Sequence, residues 1–272
     1  HMQSKEKTMK TALFLIPLAA CLSTLSTQEV RAQASESFQD SVQARLPKLP
    51  LIGDRAPGFE AKSTNGPIRF PGDYQGKWVV FFSHPGDFTP VCTSEFILFG
   101  AMAKEFEKLN TRLLGLSISD LPTHQAWKRS IKHKIEYLGI RNLEIPFPII
   151  DDADQEIAWL YGMLHPASSK TETVRSVFVI DPQGILRAML FYPPANGRNI
   201  SEIKRLLIAM QTSDVHQVGT PANWEPGEDV LVAPPDSSEQ AWESSLANGS
   251  EQTCQDWYFC FKALDKSSLV LP

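Results

Sequence analysis

The sequence predicts an α/β fold in which a mostly parallel β-sheet is covered by helices on both faces and ends in an antiparallel edge. Short apolar runs rich in β-branched and aromatic residues alternate with segments whose apolar residues recur every three or four positions. The last two strand-like runs are separated only by residues 181–184, Asp-Pro-Gln-Gly, which indicates a hairpin. With 42% hydrophobic residues in 272, the chain can bury one core of domain size and carry a smaller appendage.

The first long strand and the helix after it are the clearest elements. Residues 78–83 are apolar up to a final serine, as in strands buried on both faces of a sheet. Thr89 and Pro90 then mark a helix start, at the N-cap and the first helical position, and apolar spacing continues to about Leu109. The other predicted elements are a hairpin region at 53–66, strands at 111–119, 147–150, 174–180, 185–192 and 230–232, and helices at 122–138, 154–163 and 200–210.

Composition divides the chain into four segments. Residues 1–34 place lysines before a short apolar run, which is typical of a secretory signal and too short to cross a bilayer, so we expect a periplasmic or secreted protein. The initial His-Met pair is interpreted as a remnant of recombinant expression. Residues 35–50 are predicted to be a linker and residues 51–213 the α/β domain. Residues 214–272 are broken by prolines and cannot form a core alone, so we expect this extension to pack on another surface.

Two processing signals compete in the first segment. Residues 18–21, Leu-Ala-Ala-Cys, resemble a bacterial lipobox, which would attach a lipid to Cys21 and anchor the protein to a membrane. Residues 32–34, Ala-Gln-Ala, fit the small-residue rule for cleavage after Ala34. The sequence leaves both sites open.

Charge and cysteine content exclude two classes of protein. The net charge is −5, which provides no basic surface for nucleic acid. Four cysteines are too few and too scattered for a fold held together by disulfides. Each cysteine is therefore interpreted separately.

Cys92 falls in the first turn of the helix that begins after Thr89. Unpaired N–H groups and the positive end of the helix dipole favour an anion there, so we expect this thiol to form the nucleophilic thiolate readily. A buried, inert cysteine is the alternative. The succession of strand, breaker loop, Thr-Pro cap and cysteine favours the nucleophile.

Residues 85–92, Pro-Gly-Asp-Phe-Thr-Pro-Val-Cys, resemble the Pro-x-x-x-Thr-x-x-Cys signature of peroxiredoxins, and residues 84–95 are most similar to the peroxiredoxin 6, or 1-Cys, subfamily. The similarity extends from about Leu51 to Lys262. It implies a thioredoxin-like fold with a central mixed sheet flanked by helices and a C-terminal extension domain. It also implies a thiol peroxidase that acts on hydrogen peroxide and organic hydroperoxides and needs a thioredoxin-like or glutathione-like electron donor but no cofactor or metal. The subfamily forms homodimers, in which the C-terminal arm reaches the partner subunit, and these can assemble into decamers.

The resemblance assigns four catalytic residues. Cys92 would attack the peroxide and become a sulfenic acid, while Arg175 would keep the sulfur ionised. Thr89 would offer its hydroxyl to the peroxide or the sulfur, and Pro85 would shield the thiolate from water. The alternatives are a helix cap for Thr89, a strand end for Pro85 and an exposed charge at a strand edge for Arg175.

Three further residues are expected to support the pocket. Glu95 is a like charge beside the thiolate and must therefore be paired, and Arg198 is its candidate partner. His84 matches a histidine beside the subfamily's pocket, and a hydrogen-bonded structural histidine is the alternative.

Two tail cysteines, Cys254 and Cys260, flank an aromatic-rich segment. They resemble the paired tail cysteines of bacterial and archaeal members, which implies that one of them resolves the Cys92 sulfenic acid; Cys260 is the first candidate, with Cys254 as a relay. A structural Cys254–Cys260 disulfide is the alternative, and zinc binding is disfavoured because no histidine flanks the pair. Animal members carry a lipase-type serine where this chain has Lys77, so no phospholipase activity is expected.

Two other functions remain as alternatives. Ring-forming family members can protect unfolded chains, so a stress holdase with vestigial peroxidase activity is one of them. A thioredoxin-like disulfide oxidoreductase is disfavoured, because residues 93–95 supply no second cysteine after Cys92 to make a Cys-x-x-Cys motif.

Overall fold

The computed structural model describes residues 49–169, 171–234 and 252–265. The predicted signal segment, with Cys21 and Ala34, lies outside the described residues, as does nearly all of the predicted linker. The strands are β1 Phe59–Ala61, β2 Ile68–Phe70, β3 Trp78–Ser83, β4 Thr111–Ser117, β5 Ile149–Asp151, β6 Arg175–Ile180, β7 Leu186–Tyr192, β8 Val230–Leu231, β9 Thr253–Asp256 and β10 Phe259–Lys262. The helices are α1 Pro90–Lys108, α2 Leu121–Lys134, α3 Glu156–Leu160 and α4 Ile200–His216, and residues Gly72–Tyr74 form a 3₁₀ turn.

The central sheet has the strand order β5-β4-β3-β6-β7. Strands β3, β4 and β5 are parallel, whereas β6 is antiparallel to β3 and β7 is antiparallel to β6. This is the predicted mixed sheet with an antiparallel edge. Strand β1 of the short β1–β2 hairpin lies in the predicted hairpin region 53–66, whereas β2 begins two residues beyond it at Ile68.

Both faces of the sheet are covered, which explains the unbroken apolar sequence of β3. Every residue of β3 is buried. Val80 and Phe82 point into one core with α1, α2 and α4, while Val79 and Phe81 belong to a second core on the opposite face. A strand buried on both sides cannot alternate polar and apolar residues.

Helix ends are where the sequence prediction was wrong. The helix predicted for 122–138 ends at Lys134, because residues 137–140 form their own turn with Leu138 at φ 50°. The helix predicted for 154–163 spans only Glu156–Leu160, and Gly162 at φ 63° follows it. The last helix continues past the predicted Met210 to His216, since Gln211 and Thr212 are buried. The strand predicted for 111–119 ends at Ser117.

The C-terminal extension forms a small antiparallel sheet with the order β8-β10-β9. Strands β9 and β10 were not predicted. Trp224 and Val230 are fully buried and belong to the core beneath α1 and α4, so this part of the extension packs on the α/β domain. None of the helices in the described residues has the length and apolar character needed to cross a membrane.

Candidate active site

Strand pairing places Arg175 beside Cys92. Strand β3 leads through a loop into α1, where Thr89 is the N-cap, Pro90 opens the helix and Cys92 lies in the first turn, as predicted. Because β6 runs antiparallel to β3, the first residue of β6, Arg175, lies next to the end of β3 from which this loop departs. The Nη1 atom of Arg175 is 3.2 Å from the sulfur of Cys92.

Three hydrogen bonds to two partners hold the guanidinium of Arg175 in place. Its Nε and Nη2 atoms donate to the carbonyl oxygen of Pro194 at 2.9 and 2.6 Å, and Nη1 also donates to Glu95 at 2.7 Å. The residue is only 2% exposed, which excludes the alternative of an exposed charge at a strand edge. Arg175 therefore reaches Cys92 with its orientation already determined.

Glu95 is paired with two arginines, whereas the sequence suggested only Arg198. Its Oε1 accepts from the backbone N and the Nε of Arg198 at 2.7 and 2.9 Å, and its Oε2 accepts from Arg198 Nη2 and Arg175 Nη1, both at 2.7 Å. Burial alone would raise the pKa of Glu95, but the charge and hydrogen bonds of Arg198 together with the charge of Arg175 lower it. Cys92 and Glu95 lie three residues apart on one face of α1, so the same arginine contacts both.

Arg198 connects this carboxylate to the sheet. Its Nη1 donates to the carbonyl oxygens of Ser83 and Ser176 at 2.9 and 2.8 Å, which ties the end of β3 to the start of β6. Its guanidinium carbon also lies 5.2 Å from the ring centre of Phe82. Arg198 thus holds Glu95 against the ends of two strands. Among the described residues, it makes no hydrogen bond to the sulfur of Cys92.

Thr89 is the N-cap residue, but its side chain does not cap the helix. The hydroxyl donates to the carbonyl oxygen of Gly86 at 2.9 Å, so the alternative of a side-chain helix cap does not hold. This bond closes the loop between β3 and α1, in which Phe88 adopts a left-handed φ of 57° and is 57% exposed. Pro85, two residues after the end of β3, is buried.

His84 belongs to a buried hydrogen-bonded cluster that the sequence did not reveal. Its Nε2 lies 2.8 Å from Asp87 Oδ1, and the other carboxylate oxygen lies 2.7 Å from His124 Nδ1. His124 Nε2 lies 3.0 Å from the carbonyl oxygen of Ile150. Within the part of the chain that the structure describes, the Nδ1 atom of His84 has no hydrogen-bond partner.

The three hydrogen-bonded contacts of this cluster require three protons. The Ile150 carbonyl can only accept, so His124 Nε2 carries a proton, and each contact with Asp87 needs one more. Burial lowers the pKa of His84, which keeps its Nδ1 unprotonated. Burial would raise the pKa of Asp87, but hydrogen bonds from His124 and His84 outweigh burial and lower it.

The same three residues are a group among the described residues that could hold a metal ion. One ligand atom from each of His84, Asp87 and His124 lies within 4.8 Å of the others. Each short contact is already explained by one proton, so these atoms are satisfied without a metal. His84 is hydrogen-bonded, as the alternative of a structural histidine requires. Its Nδ1 has no partner among the described residues, so this atom is available for a role in the pocket.

Cys254 and Cys260 are bonded to one another. They face each other across β9 and β10 and form a disulfide with Cα atoms 4.0 Å apart. Cys92 is the free cysteine of the described residues. The structure therefore brings Cys92, Glu95, Arg175 and Arg198 together and places the two tail cysteines as a pair in the extension.

Asp87 and His124 are the site residues that sequence reasoning missed. Asp87 reads as a loop breaker, although its side chain is 1% exposed. His124 shares one face of α2 with the buried Trp127 and Ile131, and a polar residue on an apolar face was the available signal.

Comparison with known proteins gives a consistent result. The family model described as the AhpC/TSA family matches residues 52–189, and the C-terminal domain of 1-Cys peroxiredoxin matches residues 209–244. A peroxiredoxin of Methanosarcina mazei is 51% identical over 214 residues, covering 79% of this chain and 98% of the relative. A peroxiredoxin of Aquifex aeolicus is 50% identical over 224 residues, covering 79% and 97%.

Solved structures agree with these relatives. A yeast mitochondrial 1-Cys peroxiredoxin, studied for thiol resolution via glutathione/thioredoxin systems, matches with a TM-score of 0.67 and 36% identity over 79% of this chain and 100% of that one. Peroxiredoxin 6 of Arenicola marina matches with a TM-score of 0.69 and 34% identity over 79% and 99%. The thioredoxin-like fold expected from the sequence is thus confirmed.

Proposed function

Because the chain belongs to the AhpC/TSA family of peroxiredoxins and is a thiol-dependent peroxidase, we propose that Cys92 is its peroxide-reducing cysteine and that Arg175 assists it. The observation that carries the assignment is the 3.2 Å contact between Arg175 Nη1 and the Cys92 sulfur at the start of α1. Hydrogen peroxide and organic hydroperoxides are the proposed substrates.

The chemistry follows from the charges around the sulfur. The Cys92 thiolate attacks one oxygen of the peroxide, the O–O bond breaks, and the other oxygen leaves as hydroxide or alkoxide and takes up a proton. Negative charge moves from sulfur to oxygen. The Nη1 of Arg175 is fixed by Glu95 and Pro194, so it can stabilise that charge without reorganising.

Substitution of Arg175 tests this assignment. We expect Arg175→Lys to slow oxidation of Cys92 by hydrogen peroxide by about 10²-fold, because an ammonium group keeps the charge but cannot reach the sulfur, Glu95 and Pro194 at once. The measurement is the single-turnover rate constant. Arg187→Lys, which changes an arginine of β7 paired with Asp214, is the matched control and should leave the rate unchanged. Equal rates in both variants would remove Arg175 from the mechanism.

We propose that the tail cysteines complete the cycle. The Cys260 thiolate attacks the Cys92 sulfenic acid, which releases water and forms a Cys92–Cys260 disulfide. Cys254 then attacks the sulfur of Cys260 and releases the Cys92 thiolate. The product of that exchange is a Cys254–Cys260 disulfide, and the bond between these residues supports the proposal. The reductant of this pair is an external thiol.

Trapping separates this relay from a purely structural disulfide. After full reduction and one equivalent of peroxide, we expect Cys254→Ser to accumulate a peptide in which Cys92 is joined to Cys260, because the second exchange is blocked. Peptide mass spectrometry detects it. The control Cys260→Ser should leave Cys92 as a sulfenic acid or a more oxidised form. A Cys254→Ser variant that gives no such link would make the tail disulfide structural.

Export and assembly are proposed from the sequence and its family match. Residues 1–34 resemble a signal peptide, and the extension matches the C-terminal domain of 1-Cys peroxiredoxin. We therefore propose an exported homodimer that can assemble into decamers, with either Cys21 or Ala34 as the processing site. A mature protein that retained residues 12–20 would contradict export, and a monomer by light scattering would contradict assembly.

A further inference from the structure

One buried nitrogen near the candidate active site lacks a hydrogen-bond partner among the described residues. His84 is fully buried, and the atom concerned is its Nδ1. Burial lowers the pKa of His84 against the opposing effect of Asp87, so Nδ1 keeps its lone pair. Buried polar atoms nearly always have partners in folded proteins, because an unpaired one costs free energy. The Nδ1 atom is therefore ready to accept from a donor that enters the site.

The ring of His84 lies beside the helical turn that carries Cys92. It packs edge to face on Phe96, with ring centres 4.6 Å apart, and stacks on Trp127 at 5.1 Å. Phe96 follows Cys92 by one turn of α1, and both side chains are buried. The backbone N–H of His84 donates to the carbonyl oxygen of Leu116 at 3.0 Å. The position of the ring is thus determined before any substrate binds.

Asp87 and His124 determine which nitrogen of His84 carries the proton. Asp87 Oδ1 lies 2.8 Å from Nε2 of His84, and a carboxylate can only accept, so Nε2 is the donor and Nδ1 is not. The other oxygen of Asp87 lies 2.7 Å from His124 Nδ1, and His124 Nε2 donates to the carbonyl oxygen of Ile150 at 3.0 Å. The three side chains are no more than 1% exposed, so solvent does not compete for these bonds and the tautomer of His84 is fixed.

We propose that the Nδ1 atom of His84 accepts a hydrogen bond from the O–H group of a hydroperoxide bound at Cys92. Asp87 and His124 are the positioning residues that hold His84 in the required tautomer and orientation. A histidine that acts on a substrate is commonly oriented by a carboxylate in this way. This inference rests on the proposed function, since it names a further contact to the substrate of that site.

The hydrogen bond selects the oxygen that the sulfur attacks. The Cys92 thiolate attacks the oxygen that carries the hydrogen, the S–O bond forms, and the O–O bond breaks with its electron pair going to the other oxygen. That oxygen leaves as hydroxide or alkoxide and takes a proton from solvent. The attacked oxygen keeps its hydrogen, so His84 gains no proton in the step. His84 holds one oxygen and Arg175 stabilises the other, which aligns the sulfur with the O–O bond.

Two substitutions of His84 separate a contact to the substrate from a structural role. The amide nitrogen of glutamine can replace Nε2 as a donor to Asp87, whereas the amide oxygen of asparagine can replace Nδ1 as an acceptor. We expect His84→Gln to slow single-turnover oxidation of Cys92 by hydrogen peroxide about tenfold, and His84→Asn to be faster than His84→Gln by about threefold or more. Alkylation of Cys92 by iodoacetamide, which has no O–H group, should proceed at the wild-type rate in both.

Variants of the positioning residues test how His84 is held. We expect His124→Ala to slow oxidation by hydrogen peroxide by about threefold or more without slowing alkylation, because Asp87 loses a contact that orients it. His133→Ala is the matched control, since His133 is exposed on the same helix. Asp87→Asn should be faster than Asp87→Ala, because an amide can still accept from His84 and donate to His124. Thermal unfolding identifies a temperature at which each variant is folded.

Three results would overturn the inference. They are a wild-type rate of oxidation by peroxide in His84→Gln, equal slowing of oxidation and alkylation in that variant, and equal effects of His124→Ala and His133→Ala. Should His124→Ala fail to fold, the His84 variants decide the question. All of these variants keep Cys92 and Arg175, so such results leave the peroxidase assignment intact. Failure of that assignment would instead appear as a wild-type protein in which peroxide does not oxidise Cys92.

Discussion

We expect Cys92→Ser to lower the rate of peroxide consumption on the order of 10³-fold or more. A serine hydroxyl does not ionise near neutral pH and cannot replace the thiolate as nucleophile. The fold should survive. Serine is similar in size, and Arg175 keeps its bonds to Glu95 and Pro194 when the sulfur is gone. The measurements are peroxide consumption with a thiol reductant and thermal unfolding.

The control for this prediction is Cys260→Ser. That variant should still consume one equivalent of peroxide in a single turnover, since Cys92 and Arg175 are unchanged. Continued turnover in Cys92→Ser would mean that another residue carries the reaction. Wild-type protein that protected unfolded chains but consumed no peroxide would favour the holdase alternative.

Glu95→Gln should destabilise the protein by about 3–5 kcal/mol, because it leaves two buried arginines without their shared negative charge. Glu95 and the side chains of Arg175 and Arg198 are each no more than 2% exposed. The measurement is the free energy of unfolding by urea. Glu202→Gln removes a partner of the more exposed Arg205 and should cost less than about 1 kcal/mol. Equal losses in the two variants would contradict the central role assigned to Glu95.

Acid titration is a second, independent test of how much Glu95 stabilises the protein. The pKa of Glu95 is lowered in the folded state, so its contribution to stability is fully present above the unfolded carboxyl pKa of about 4.3 and is lost as pH falls through the lower folded value. We therefore expect the stability difference between wild type and Glu95→Gln to be largest near neutral pH and to shrink below about pH 4. A difference that stayed constant down to pH 2 would contradict it.

Local sequence predicted correctly that a helix starts after Thr89 and that Cys92 lies in its first turn. The apolar run of β3, the Thr89-Pro90 cap and Cys92 are neighbours in the chain, and short-range propensities decide how such neighbours fold. Even here the sequence did not reveal that the hydroxyl of Thr89 bonds to Gly86 and not to the helix. Which acceptor a hydroxyl chooses depends on loop geometry that propensities do not describe.

Local sequence could not predict which residues surround the sulfur of Cys92. Arg175 is 83 residues from Cys92, and only its resemblance to a family arginine singled it out. The buried pair of Asp87 and His124 lies 37 residues apart and was missed, because its burial depends on how α2 packs against the sheet. The tail hairpin was missed as well, since short strands such as β9 show no alternation of apolar and polar residues.

By itself, the sequence determined that a cysteine begins a helix directly after a buried strand, because cap, breaker and apolar run are encoded within about fifteen residues. Tertiary structure alone decided that one carboxylate holds two arginines and that one of these reaches the sulfur. The physical reason is the antiparallel pairing of β3 with β6, which buries charges from distant parts of the chain beside one another.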